Sequence, residues 1–143
     1  MKIFSLLLAA GMLSAAVVAP AATVTFSGLA NNLVSQSTYS EAGFTFTSID
    51  GNFWGYPDGG QLHMDPSGFA NHRYDVTLTN GGLFTADSTD VVCCGSPGAN
   101  LQVDVYGAGD AYLGTSNFAA SANTTILGNG FVQYSRLRFI ATG

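Results

Sequence analysis

The chain has 143 residues, with nine acidic side chains against four basic ones, a formal net charge of −5 at pH 7, and 18 Gly. Basic residues this few cannot form the clustered patch that neutralises phosphates, which excludes electrostatic binding to nucleic acid and docking on anionic lipid. A neutral ligand, a cation or another protein fits this surface better.

At the N-terminus Lys2 precedes an apolar run from Ile3 to Val18, followed by Ala19, Ala21 and Ala22. A charged start, an apolar stretch and small residues at the exit make a secretory signal. Cleavage after Ala21 places Ala19 and Ala21 at the two small-residue positions. This divides the chain into a signal peptide, 1–21, and a single domain, 22–143, of about 120 residues, enough for one core. The run is short for a span of about 20 residues, so no membrane span is expected in the mature chain. The expected location is secreted, extracellular or at the cell envelope. Lys2 leaves with the signal, and Arg73, Arg136 and Arg138 remain against Glu41, Asp50, Asp58, Asp65, Asp75, Asp87, Asp90, Asp104 and Asp110.

After the signal the hydrophobic period is close to two. Val24 and Phe26 alternate with Thr23 and Thr25, Phe44 and Phe46 with Thr45 and Thr47, and Val76 and Leu78 with Asp75 and Thr77. Leu101, Val103 and Val105 oppose Gln102, Asp104 and Tyr106; Leu137, Phe139 and Ala141 oppose Arg136, Arg138 and Ile140. This is the pattern of half-buried antiparallel strands. The stretches TNGG, CCGSPGAN and GAGD between them are turn chemistry. No window carries a helical stripe. Strands at roughly 8–12 residue spacing predict an all-β fold, an antiparallel β-sandwich or jelly roll of about eight strands, with Thr, Asp and Tyr outside.

From Ile49 to Tyr74 the alternation fades, except at Gln61 to Met64, and Gly and Pro punctuate it. The segment reads as a long irregular connection, a common seat of function in a compact domain. It holds the single Trp and both His of the chain. Sugar binding needs a flat aromatic face for the C–H side of a pyranose and directional groups for its hydroxyls. Trp54, Tyr56 and Tyr74 can supply the first; Asn52, Asp58, Gln61, His63, Asn71, His72 and Arg73 can supply the second. The competing reading is that Phe53, Trp54 and Phe69 merely anchor the loop on the core. For a metal, calcium needs several oxygen ligands, and Asp50, Asn52, Asp58 and Asp65 offer them, although their spacing is not that of an EF-hand. His63, Asp65 and His72 are the other metal-ligating set.

Further on, Asp87 and Asp90 in ADSTDVV read as charges that solvate a strand or blunt a sheet edge. The adjacent Cys93 and Cys94 leave three readings open: a vicinal disulfide, a bond between chains, or one thiol buried as a small hydrophobe. Asn123 heads a glycosylation sequon. No pair of carboxylates stands out as the two acids of a glycosidase, and no Ser or Cys lies in a nucleophile motif, so a non-enzyme is expected, with a small hydrolase the least favoured class.

The order YSEAGFTFTS (Tyr39 to Ser48), LFTADSTDVV (Leu83 to Val92), LQVDVYGAGDAYLGT (Leu101 to Thr115) and LRFIATG (Leu137 to Gly143) resembles the small exported β-sandwich domains of bacterial PEP-CTERM proteins. The resemblance implies an envelope or extracellular protein associated with exopolysaccharide and biofilm. Members usually end in a Pro-Glu-Pro signal, an apolar helix and a basic tail, whereas this sequence stops at Gly143 after its last predicted strand, which implies release from the envelope or a truncated sequence. The family supplies no catalytic residues. The sandwich is also similar, by analogy of fold, to carbohydrate-binding jelly rolls. The expected function is therefore binding of extracellular carbohydrate or matrix through residues 52–74, with calcium as the candidate ion. The alternative is a structural or assembly protein of the envelope or biofilm matrix, making protein contacts through sheet edges or cysteines.

Overall fold

The computed structural model describes residues 22–26, 28, 35–50, 53–56, 61–63, 71–90, 100–119, 123–125 and 132–142. Within them the chain is built of strands: β1 (Ser35–Gln36), β2 (Thr38–Glu41), β3 (Phe44–Ser48), β4 (Phe53–Tyr56), β5 (Gln61–His63), β6 (Asn71–Leu78), β7 (Ser88–Asp90), β8 (Asn100–Tyr106), β9 (Tyr112–Ala119), β10 (Asn123–Thr125) and β11 (Arg136–Thr142). The one helical element among the described residues is a 3₁₀ turn, Ala108–Asp110. None is a helix long and apolar enough to cross a membrane.

Six strands form one antiparallel sheet in the order β2-β3-β6-β11-β8-β9. The two-residue period decides its faces, because successive side chains point to opposite sides. On β8 Leu101, Val103 and Val105 are buried, on β11 Leu137 and Phe139, on β6 Tyr74 and Val76, and on β3 Phe46. Register aligns these sets: Phe139 lies opposite Tyr74 on one side and Val103 on the other. Segments outside the six strands cover this apolar face. Phe84 and Tyr134 exchange backbone hydrogen bonds of 2.9 and 2.7 Å and are both buried, and Phe26 sets its ring edge-on to Phe46 at 5.1 Å.

The sheet edges differ. β2 is four residues long and ends in Glu41, whose carboxylate accepts hydrogen bonds from the Thr25 amide and hydroxyl and from the Tyr39 phenol, tying the N-terminal segment to the sheet. β9 is eight residues long. It begins at an irregularity in its pairing with β8, between Val105 and Tyr106, where Gly114 takes φ +153°, a value that favours glycine.

The segment expected to be an irregular loop is ordered backbone in two places. β4 and β5 pair as an antiparallel hairpin, with β1 on the other side of β4. β6, expected from Asp75, starts at Asn71 and takes up His72, Arg73 and Tyr74. The alternation was hidden by chemistry: Gly55 interrupts the aromatic run of β4, and His72 and Tyr74 occupy positions on the core face of β6 where Val or Leu would have been legible.

Candidate functional site

Directly opposed residues of an antiparallel pair share a face, as do residues two apart on one strand. In the β4–β5 hairpin Trp54 lies opposite His63 and Tyr56 opposite Gln61. These four positions therefore fall on one face of the ribbon, with neighbouring pairs about 5 Å apart across the strands. Ser35 of β1 continues the row beyond Trp54. The register thus sets four of the proposed positions on one face.

The segments that lead between this small sheet and the large one are held by backbone hydrogen bonds to the large one. The Ser48 amide donates to Ser37 O at 2.8 Å, and the Ile49 amide to Arg73 O at 2.9 Å. Asp50 then fixes the chain as it leaves for β4. Its carboxylate accepts from the Arg73 amide at 3.1 Å, from Nε at 2.6 Å and from Nη2 at 2.6 Å. The hydrogen bonds from Arg73 hold the Asp50 carboxyl below the usual carboxylate range, against the opposing effect of burial. Asp50, suggested as a calcium ligand, is here the acceptor of a bidentate arginine pair.

The C-terminal members of the predicted site are split between the two faces of β6. His72 is 3% exposed, with Nε2 3.3 Å from Ser48 Oγ. Tyr74 is 9% exposed and stacks on Phe139 with centroids 4.9 Å apart and planes within 4°. Both face the core, and burial raises the Tyr74 phenol above its ordinary pKa. Arg73 lies on the opposite face. Its side chain is directed to Asp50, so these three consecutive residues do not converge on one ligand. Asn52, Asp58, Asp65, Cys93 and Cys94 lie outside the described residues, as does Phe69. Among the described residues no three His, Cys, Asp or Glu side chains are grouped as a metal site would require.

The face of the large sheet turned away from the core carries a network that the sequence did not reveal. Register sets Asp75 opposite Arg138, Arg138 opposite Asp104, and Asp104 opposite Thr115. Arg138 donates to Asp75 through Nε at 2.7 Å and Nη2 at 2.9 Å, and Arg136 Nη1 adds a third bond at 3.1 Å. The hydrogen bonds to Asp75 raise the pKa of the Arg138 guanidinium above its ordinary value. Arg136 also lies 3.9 Å above the Tyr106 ring and 3.5 Å from Asp110. Beside it, Gln102 and Thr115 both donate to Asp104 Oδ1, and Thr115 shares a hydrogen bond with the Tyr112 hydroxyl. The sequence signal was present as Arg136 and Arg138 alternating with Leu137 and Phe139. What was missing was the register that brings Asp75 to them.

On this face Asp75 and Asp110 are paired with arginines, and Asp104 accepts from Gln102 and Thr115. No family model matches the chain, nor does any curated protein or solved structure.

Proposed function

We propose that this is a secreted, non-enzymatic β-sandwich protein of the bacterial envelope or matrix that binds extracellular carbohydrate through residues 52–74. The observation that supports this most directly is the hairpin register, which sets two aromatic and two hydrogen-bonding residues, Trp54, Tyr56, Gln61 and His63, on one face of a ribbon. That is the pairing of ring surface and directional polar groups that a pyranose needs. The absence of an uncompensated basic patch fits a neutral glycan, and the PEP-CTERM resemblance points to exopolysaccharide. Asn52, Asp58 and Asp65 keep calcium in this reading as the candidate ion.

The test is a binding screen of the purified protein against soluble and insoluble polysaccharides, with calcium and with chelator, beside Trp54→Ala. A binding aromatic of this kind is expected to contribute on the order of 2 kcal/mol, or about thirtyfold in affinity. Its loss should leave the melting temperature nearly unchanged. A variant that melts early, in a protein that binds no glycan, would make Trp54 a packing residue. Release of sugar from a polysaccharide would overturn the non-enzyme reading.

A second reading, assembly with other proteins, is favoured by one observation: the long edge strand β9 bears no charge.

A further inference from the structure

Among the described residues the partners of the Glu41 carboxylate, at the end of β2, are all donors. Thr25 donates to Oε1 through its amide at 3.0 Å and its hydroxyl at 2.8 Å, Phe26 donates through its amide, and the Tyr39 phenol donates to Oε2 at 2.5 Å. The Tyr39 oxygen in turn accepts from the Gly28 amide, at an approach so close that a Cβ on residue 28 would lie 2.9 Å from it. One Tyr–Glu pair thus holds three residues of the N-terminal segment, whose described part, 22–26 and 28, belongs to no strand. What this segment covers is apolar. Val24 and Phe26 pack against the core, with the Phe26 ring edge-on to Phe46 and 6.0 Å from Tyr39. Phe26 sits at φ 54°, a left-handed conformation that strains a residue with a side chain, so its surroundings must hold it there.

We infer that the segment carrying Thr25, Phe26 and Gly28 is a strap that acid opens, with Glu41 as its latch. A carboxylate offers acceptors alone, and four donors meet it here. Protonation sets a fifth hydrogen among them. The hydroxyls can turn to accommodate it, but the amides of Thr25 and Phe26 cannot, and the bonds they keep then go to a neutral group and are about half as strong. Phe44 lies opposite Glu41 on β3 and brings no charge, the Tyr39 phenol is neutral in acid, and among the described residues no arginine pairs with Glu41. Glu41 is therefore the group that titrates in this contact. Desolvation works against its charged form, but the hydrogen bonds from Tyr39, Thr25 and Phe26 outweigh it and hold the carboxyl below its usual 4.5. The strap is fastened above that value and loosens as pH falls below it. Opening uncovers the Phe46 ring while the ladders of the large sheet stay paired. This device is independent of glycan binding.

Amide exchange of the purified protein, followed residue by residue by NMR from neutral pH to about pH 3 and expressed as protection relative to the unfolded chain, tests it. The amides of Thr25, Phe26 and Gly28 are expected to lose at least about tenfold in protection below the usual carboxylate range, while those of Val103 on β8 and Phe139 on β11 keep theirs. Glu41→Gln should open the strap at neutral pH and abolish the pH dependence. Tyr39→Phe keeps the ring beside Phe46 but takes one donor from the carboxylate, so the opening should move to higher pH; a merely structural role for Tyr39 would leave that midpoint in place. The pH series on the unaltered protein decides the matter even if Glu41→Gln does not fold. Strap amides equally protected at both ends of the pH range, protection lost in step with Val103 and Phe139, or a folded Glu41→Gln protein whose strap is as protected at neutral pH as the unaltered one would each overturn the inference.

Discussion

Asp75 is 8% exposed and is the acceptor for two arginines on a sheet face that sequence alone would assign to water. Removing one partner of a buried ion pair costs more than the pair contributes, because the remaining charge stays desolvated. Asp75→Ala leaves Arg136 and Arg138 side by side without their common carboxylate. A loss on the order of 3 kcal/mol is expected, read as a lower midpoint in urea. Tyr39 gives a pH dependence of known sign. Burial, with the hydrogen bond and charge of Glu41, pushes its phenol up from 10.0 to about 12. The neutral form is thus favoured by folding. Its contribution is whole below pH 10, declines as pH rises through the interval to about 12, and is gone above it. Stability measured across that interval should fall with pH, and less steeply in Tyr39→Phe. At this scale the sequence was partly legible. It marked Tyr74 and His72 as unusual, but aromatic and imidazole side chains serve a core or a ligand equally well, and only the β6 register with Phe139 and Ala141 assigns them to the core.

The hairpin of β2 and β3 turns through Ala42 and Gly43, with φ of 53° and 84°. Two positive φ values in a two-residue loop are the type I′ geometry whose twist matches the strands. Gly43 adopts it freely, but Ala42 is held where an ordinary side chain is strained by about 1–2 kcal/mol. Asn tolerates this conformation better, and Ala42 is exposed, so Ala42→Asn should raise stability by about 1 kcal/mol, seen as a higher melting temperature. Strand legibility followed composition. The strands around Phe44, Val103 and Phe139 were readable because β-branched and aromatic residues alternate there with Thr, Asp and Arg. β4 is hidden because Gly55 breaks its aromatic run, and β5 leaves only the short alternation at Gln61 to Met64. The candidate residues Trp54, Tyr56, Gln61 and His63 were found by rarity and side-chain type; their common face came from pairing.

Across the whole molecule, an antiparallel β class could be read from the sequence but the order of strands could not. Period two says which residues share a face of a strand, and says nothing about which strands are neighbours. The contact between Asp75 and Arg138 joins residues 63 apart, and no local pattern announces it. One feature of the order bears on how the molecule comes into being. β11, the last of the described strands in the sequence, stands between β6 and β8. Until residues 136–142 have been made, the ladders on both of its sides are missing, and β2-β3-β6 and β8-β9 are separate ribbons that share no pairing. Small sheets of two or three strands have little stability of their own, and their longest-range contacts form last. The nascent chain therefore has no complete six-stranded sheet to fold into until β11 takes its place between β6 and β8.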